Sequence, residues 1–257
     1  MLDQIRIVLV RPIRSGNVGA VCRAMVNMGL SDLVLVSPAC DVQDAQAQGF
    51  AARAKHMLQK ARIVDSVARA LDGCVATFAA SAKGGMYRRQ AAVPLAEGSD
   101  LAIQKTAGGR VAVAFGPEDR GLVMSELLEF DRVVEIPADP AYPVLNLAAA
   151  TTIACYELRQ ASLRAAGRPP LEGGDEPLAT DDRKRILFRK LFDALDGVGF
   201  FGGQQNPDHL KYALRRVLGR IEMSVNEADI FIGMAQQIRW YVDHPPKRDA
   251  TEGRGAG

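Results

Sequence analysis

Short apolar runs alternate with segments of helical periodicity over roughly the first 160 residues. The runs are continuous and bounded mostly by Gly, Pro or Asp, which is typical of buried strands. We predict strands over Ile5–Val10, Leu33–Ser37, Val75–Ala80, Val111–Phe115 and Arg132–Ile136. We predict helices over Gly19–Met28, Ala45–Lys60, Ser125–Glu129 and from Asn146 to about Ala166. This alternation favours an α/β fold with a mostly parallel sheet.

The composition changes after residue 165. The stretch GRPPLEGGDEP, residues 167 to 177, is too rich in Pro and Gly for a helix, and we place a linker at 166–180. Helical patterns return in a C-terminal extension, 181–243, and the tail 244–257 is predicted to be disordered. The helices of the extension are predicted over Asp181–Leu195, Asp208–Glu222 and Asn226–Val242, with Asp181 and Asn226 as N-caps.

Charge and hydropathy change this picture little. The net charge is only +2, so affinity for nucleic acid must come from local patches. The chain has no run of 18 apolar residues, and Asp3 and Arg6 stand where a signal peptide is apolar. We therefore expect a cytoplasmic protein with no membrane partner.

Cysteines and histidines do not indicate a metal site. Cys22, Cys40, Cys74 and Cys155 are scattered through apolar surroundings without CxxC spacing, and the three histidines lie far apart in the sequence. Cysteines in this pattern are usually small buried hydrophobes. We expect neither a disulfide framework nor a bound metal.

Three stretches carry the candidate chemistry. The first, RSGNVGAVCRAM, joins a strand to a helix, but its GxxG spacing fits neither the dinucleotide fingerprint GxGxxG nor the phosphate loop. The second, AVAFGPEDRGL, places charged residues directly after a strand. The third, IPADPAYPVLNLAAA, leads from a strand through a Pro-rich loop into a helix that begins with small residues. Small residues permit close approach of a ligand or another chain.

In this order and at these separations, the stretches resemble the three motifs of the SpoU branch of the SPOUT superfamily, the knotted methyltransferases that modify RNA. The first motif is Asn17-Val18-Gly19 with Arg23, the second is Phe115-Gly116-Pro117-Glu118 with Gly121-Leu122, and the third is Leu145-Asn146-Leu147 with Tyr156-Glu157. The resemblance implies a parallel sheet with a C-terminal trefoil knot, followed here by the helical extension. A knot is rare in proteins, so this expectation rests on the family alone.

The resemblance also implies an activity. Within the branch it is closest to enzymes that methylate the 2′-hydroxyl of a cytidine or uridine ribose at position 32 of the tRNA anticodon loop. Such enzymes act as homodimers and take the methyl group from S-adenosylmethionine. The matching cofactor-binding positions are Ala80, Ser81, Ala82, Gly116, Ile136, Val144 and Leu145. Small and apolar residues suit the adenine of that cofactor.

The catalytic positions implied by the motifs are Arg23, Asn17, Glu118 and Asn146. Arg23 is either the base that removes the hydroxyl proton or a group that binds the target phosphate and stabilises the developing alkoxide. The turn at 15–19 is expected to present Asn17 and Arg23 to the RNA. One position departs from the family pattern, because Val144 stands where a serine is usual.

Two basic segments are candidates for RNA contact. Lys83, Arg88 and Arg89 flank glycines and an aromatic residue, a mixture that suits phosphates and bases. In the extension, Lys211 and Arg215 share a helical face that could meet the tRNA backbone. The first segment is equally well explained as an ordinary surface loop, and for the second a solvated face is the more common explanation.

Other functions stay open on the sequence alone. Val144 and the modest net charge are compatible with a catalytically silent RNA-binding member of the family, and another tRNA or rRNA ribose could be the target. A nucleotide-binding enzyme of the Rossmann type is suggested only by the alternation of strands and helices. The absence of GxGxxG counts against it.

Overall fold

A computed structural model describes residues 1–82, 92–167, 176–202 and 206–245. The strands are β1 (Ile5–Val10), β2 (Asp32–Val36), β3 (Arg62–Val64), β4 (Cys74–Ala80), β5 (Val93–Pro94), β6 (Arg110–Phe115) and β7 (Arg132–Glu135). The helices are α1 (Ser15–Met28), α2 (Ala45–Ala51), α3 (Lys55–Lys60), α4 (Val67–Leu71), α5 (Leu95–Lys105), α6 (Met124–Leu127), α7 (Leu147–Ala165), α8 (Asp181–Gly197), α9 (Pro207–Gly219) and α10 (Val225–Asp243).

The strands form one seven-stranded sheet in the order β3-β2-β1-β6-β4-β7-β5. Each pair of neighbours is parallel, and Ile7 of β1 is paired with Leu33 on one side and Val113 on the other. All six residues of β1 are buried because helices cover both faces of the sheet. The predicted α/β class with a parallel sheet is confirmed, whereas the knot stays a prediction.

The two faces of the sheet carry different helices. One face packs against α1, α2, α5 and α7, with Val21, Met25 and Leu158 in the centre. The other face packs against α4 and the segment from Leu122 to Phe130. No helix in the described ranges is long and apolar enough to cross a membrane.

The first glycine-containing stretch is helical from its start, so the prediction of a turn at 15–19 is wrong. The helix begins at Ser15, after an extended Arg14, which places Asn17 and Gly19 in its first turns. A Cβ on Gly19 would lie 2.1 Å from the carbonyl oxygen of Ala47. Gly19 is therefore needed for the close packing of α1 against α2.

The predicted helix Ala45–Lys60 is interrupted. Its two halves, α2 and α3, are separated by a 3-10 turn at Ala52–Ala54, where Ala52 has φ +50°. The bend allows both Ala51 and Ala54 to be buried in the core. The predicted pattern also omitted β3, β5, α4 and α5. Three of these are short, since β3, β5 and α4 span three, two and five residues.

The extension is attached to the sheet by buried charges. Lys184 of α8 donates to the carbonyl oxygen of Val75 at 2.7 Å, and its Nζ lies 3.6 Å from Asp131. Both side chains of this pair are less than a tenth exposed. Nearby, burial raises the pKa of Asp181 to about 7, although Arg215 and Arg185 favour its charged form.

Two details of the extension correct the predictions. The N-caps are Thr180 and Ser224, not Asp181 and Asn226, and Ser224 forms a capping box with Glu227. Arg215 does not share an exposed face with Lys211: it is 5% exposed, donates to the carbonyl oxygen of Glu129 at 2.6 Å and lies over the ring of Phe188. The RNA-contact role predicted for Arg215 is therefore wrong, because its guanidinium is used inside the protein.

The buried pair predicts the effect of a substitution. In Lys184→Ala, Asp131 stays buried without its counter-charge, so we expect the free energy of unfolding in urea to fall by about 3 kcal/mol. The exposed Arg189 on the same helix is the matched control. Arg189→Ala should change the free energy of unfolding by less than about 0.5 kcal/mol. Neutralising both partners, in Lys184→Met with Asp131→Asn, should restore most of the loss. Equal stability of Lys184→Ala and Arg189→Ala would contradict this role for the pair.

Candidate active site

The carboxyl ends of β4, β6 and β7 meet at one edge of the sheet, where their loops enclose a cavity of about 180 Å³. We call it the strand-end cavity. It is lined by Ala80, Ser81, Ala82, Phe115, Gly116, Pro117, Glu118, Asp119, Arg120, Gly121, Ile136, Pro143, Val144, Leu145, Leu147 and Ala150. All seven residues predicted to bind cofactor are among them, so the fold brings together three loops that are distant in sequence.

The walls of the cavity combine apolar side chains with a charged rim. Ile136, Val144 and Leu145 supply apolar surface, and Ser81 supplies a hydroxyl. The acidic residues Glu118 and Asp119 belong to the lining, and Arg120 Nη1 lies 3.8 Å from Asp119 Oδ2. This arrangement can hold an aromatic heterocycle while attracting a positive charge.

Gly116 has a structural reason to be glycine. A Cβ at this position would lie 2.2 Å from the backbone nitrogen of Leu122, because the loop from 116 to 122 folds back on itself. The fold is closed by a hydrogen bond of 2.9 Å from the Gly121 N–H to the carbonyl oxygen of Pro117, and Gly121 has φ +69°. Both glycines of the second motif therefore shape the loop that carries Glu118.

Glu118 connects the three motifs. Its carboxylate accepts hydrogen bonds from the backbone N–H groups of Ile13 at 2.9 Å and Arg14 at 3.2 Å. It also accepts one from Asn17 Nδ2 at 2.7 Å. The carboxylate thus satisfies donors at the start of α1, where a negative charge is favoured.

Asn17 continues this chain to the third motif. Its Oδ1 accepts a hydrogen bond of 3.2 Å from Asn146 Nδ2. Asn146 in turn caps α7, because its Oδ1 accepts from the N–H groups of Ala148 and Ala149 at 2.9 and 3.4 Å. We refer to Asn17, Glu118 and Asn146 as the Glu118 network. Three of the four predicted catalytic residues are therefore joined beside the strand-end cavity.

Arg23, the fourth, lies elsewhere. It is exposed on α1 and makes no hydrogen bond or ion pair with any residue that the structure describes. Arg23 is six positions after Asn17 on α1, which corresponds to a rise of about 9 Å along the helix axis and a rotation of about 240° around it. Arg23 therefore does not point towards the Glu118 network of its own chain.

Arg23 belongs to an exposed surface formed by α1 and α7. The two helices run side by side: Asn17 contacts Asn146 near their amino ends, and Arg159 approaches Gly29 near their carboxyl ends. Their solvent-facing side carries Val26, Tyr156 and Leu163, which are 39%, 48% and 53% exposed. We call this surface, with Arg23 and Thr152, the outer face.

Sequence reasoning missed Arg11, which lies directly after β1. Its guanidinium forms an ion pair with Glu126, and this hydrogen bond raises the pKa of Arg11. Glu126 also accepts from the N–H of Val123 at 2.9 Å. Arg11 therefore ties the end of β1 to the segment after Gly121, although nothing in the sequence pattern pairs residues so far apart.

The remaining predicted residues are not placed at the cavity. Lys83, Arg88 and Arg89 lie outside the described residues. Lys211 lies on α9, 3.5 Å from Asp208 and 5.5 Å from the centre of the Phe201 ring. Within the described ranges, no group of three His, Cys, Asp or Glu residues is placed to hold a metal ion.

Comparisons with known proteins agree with this geometry. A model of the SpoU rRNA methylase family matches residues 4–156. The tRNA (cytidine/uridine/adenosine-2′-O-)-methyltransferase TrmJ of Pseudomonas aeruginosa is 38% identical over 250 residues, covering 93% of this chain and 95% of that protein. The tRNA (cytidine/uridine-2′-O-)-methyltransferase TrmJ of Pectobacterium atrosepticum is 37% identical over 247 residues, covering 93% and 98%.

A solved structure extends the likeness to the whole fold. The crystal structure of TrmJ from Z. mobilis ZM4 matches with a TM-score of 0.73 and 27% identity, covering 91% of this chain and 98% of that one. The resemblance indicated by the three motifs is thereby confirmed. This chain belongs to the SpoU rRNA methylase family.

Proposed function

We propose that this protein is a tRNA methyltransferase that transfers a methyl group from S-adenosylmethionine to the ribose 2′-hydroxyl of a cytidine or uridine, at position 32 of the anticodon loop. The observation that carries the proposal is the position of the strand-end cavity beside the Glu118 network. The names of the TrmJ relatives support the reaction and the substrate. As a tRNA-modifying enzyme, it would act in the cytoplasm.

The cavity fits the cofactor. Adenine requires an apolar slot with backbone donors and acceptors, and Ile136, Val144 and Leu145 provide such walls. Glu118 and Asp119 suit the positive sulfonium. When bound, S-adenosylmethionine supplies an activated methyl group. After transfer the sulfur is neutral, so the attraction of these carboxylates weakens and release of the product is favoured.

The Glu118 network would position the ribose. In the transfer, the 2′-oxygen would be aligned with the methyl carbon and the sulfur, a C–O bond would form and the C–S bond would break. The hydroxyl proton would pass to the neighbouring RNA phosphate or to water. The side-chain amides of Asn17 and Asn146 are hydrogen-bonded to each other at the edge of the cavity. A carboxamide is neither an acid nor a base near neutral pH, so these residues can orient a hydroxyl there but do not take its proton.

Arg23 would supply positive charge to this reaction from a second subunit. The outer face exposes apolar side chains on two adjacent helices, and a second copy of the chain would bury them. Because Arg23 lies on this surface and points away from its own Glu118 network, we infer that it serves the site of the partner. There it would bind the phosphate next to the target ribose and stabilise the developing alkoxide.

The proposal is tested by incubating the protein with S-adenosylmethionine and unmodified tRNA and mapping methylated riboses by mass spectrometry. We expect one 2′-O-methyl group at position 32 of substrates that carry C or U there. Methylation of a different nucleotide would change the assigned target nucleotide but not the assigned reaction. Tight binding of tRNA without any methyl transfer would support the catalytically silent alternative, for which Val144 in the cavity wall is the motivating observation.

Arg23→Ala should lower the single-turnover rate of methyl transfer at least ~100-fold, as expected when one positioned charge is lost. The melting temperature and the affinity for S-adenosylmethionine should stay near wild type, since Arg23 is exposed and lies outside the cavity. Arg23→Lys should recover little, because a point charge does not reproduce the planar guanidinium. A rate within about threefold of wild type for Arg23→Ala would remove Arg23 from the mechanism.

Mixed dimers test whether Arg23 acts across the interface. Arg23→Ala and Asn146→Ala subunits, each inactive alone, should regain activity when mixed, because one site of each mixed dimer then has both residues intact. Two Arg23→Ala preparations mixed with each other are the control and should stay inactive. If the mixed dimers form but recover no activity, Arg23 acts within its own chain.

A further inference from the structure

The loop that leads into α7 exposes a tyrosine beside the strand-end cavity. Tyr142 is 80% exposed, more than any other large apolar side chain that the structure describes. Within the described ranges, its side chain makes no hydrogen bond and no ring contact. The next two residues, Pro143 and Val144, line the cavity. Tyr142 therefore directly precedes the cavity wall in sequence, with most of its side chain exposed to solvent.

The loop holds this tyrosine in place. The carbonyl oxygen of Asp139 accepts a hydrogen bond of 3.0 Å from the Tyr142 N–H, and Asp139 Oδ1 accepts one of 2.8 Å from the Ala141 N–H. Pro140 restricts the backbone within this turn, and Pro143 restricts it directly after the turn. Because these contacts already restrain the backbone, the loop loses little conformational entropy when a ligand stacks on the ring.

The proposed reaction creates a need for such a ring. To bring its 2′-hydroxyl to the cavity, a loop nucleotide must leave its stacked neighbours, and its base then requires a new stacking partner. Among the described residues that line the cavity, the only aromatic side chain is Phe115, which is 3% exposed. Among the described aromatic residues at or next to the cavity wall, Tyr142 is the one with an exposed ring.

We propose that Tyr142 is the stacking platform for the base of the nucleotide that is methylated. The inference rests on the proposed function. Stacking uses the π-face that every base has, so Tyr142 positions the nucleotide without selecting its identity. The platform lies four residues before Asn146, and this short spacing links the position of the base to the position of the ribose.

Three variants separate stacking from other roles. Steady-state methylation of unmodified tRNA should show that Tyr142→Ala and Tyr142→Leu raise KM for tRNA about 10-fold or more, the effect of one lost base–aromatic contact. Tyr142→Phe, which keeps the ring, should stay within about twofold of wild type. Affinity for S-adenosylmethionine and the mass of the assembly in solution should be unchanged in all three.

Several results would overturn the inference. These are an unchanged KM in Tyr142→Ala, a Tyr142→Leu variant as good as Tyr142→Phe, or a change of assembly mass in Tyr142→Ala, which would make Tyr142 an interface residue. In each case the wild-type protein still methylates tRNA, so the proposed function stands. If the wild-type protein transfers no methyl group, the proposed function fails and the inference fails with it.

Discussion

The site depends on the carboxylate of Glu118, a residue that lines the strand-end cavity. Glu118 accepts two backbone N–H groups at the start of α1 and the side chain of Asn17, which is joined to the cap of α7 through Asn146. Residues more than 100 positions apart in sequence are thereby fixed against one another. Charge-assisted hydrogen bonds of this kind are stronger than neutral ones, and they orient the loop that closes the strand-end cavity.

The same interaction explains why α1 begins where it does. The sequence pattern predicts a turn at 15–19 because glycines separate a strand from a helix. In the structure these residues are already helical, since the Glu118 carboxylate satisfies two N–H groups that lead into the helix. Gly19 then allows α1 to approach α2. Neither contact can be predicted from the local sequence, because both partners come from elsewhere in the chain.

The central strands and the long helices could be predicted because their apolar pattern is continuous. β1 and β6 are buried on both faces, and α7 ends within one residue of its predicted boundary. Short edge strands such as β3 have no such pattern, since their residues are mostly exposed. The cavity residues were expected from the family motifs, and the parallel sheet explains why they meet at one edge.

The residues that sequence reasoning misplaced are charged ones. Arg215 has the spacing of a solvated basic face but is buried against Asp181 and Phe188. Arg23 was expected beside Asn17 but lies on the outer face, where we propose that it serves the site of a second subunit. A charged residue can be exposed or buried in the folded protein, depending on where its partner lies. The local sequence does not identify that partner.

The most direct test of the account is the structure of the protein with S-adenosylhomocysteine bound. We expect the adenosine to lie against Gly116, Ile136 and Leu145 in the strand-end cavity, with the sulfur of the ligand facing the Asn17–Asn146 contact. We also expect a dimer through the outer face that brings Arg23 of each subunit to the site of the other. Adenosine bound outside the cavity, or a sulfur directed away from Asn17 and Asn146, would contradict it.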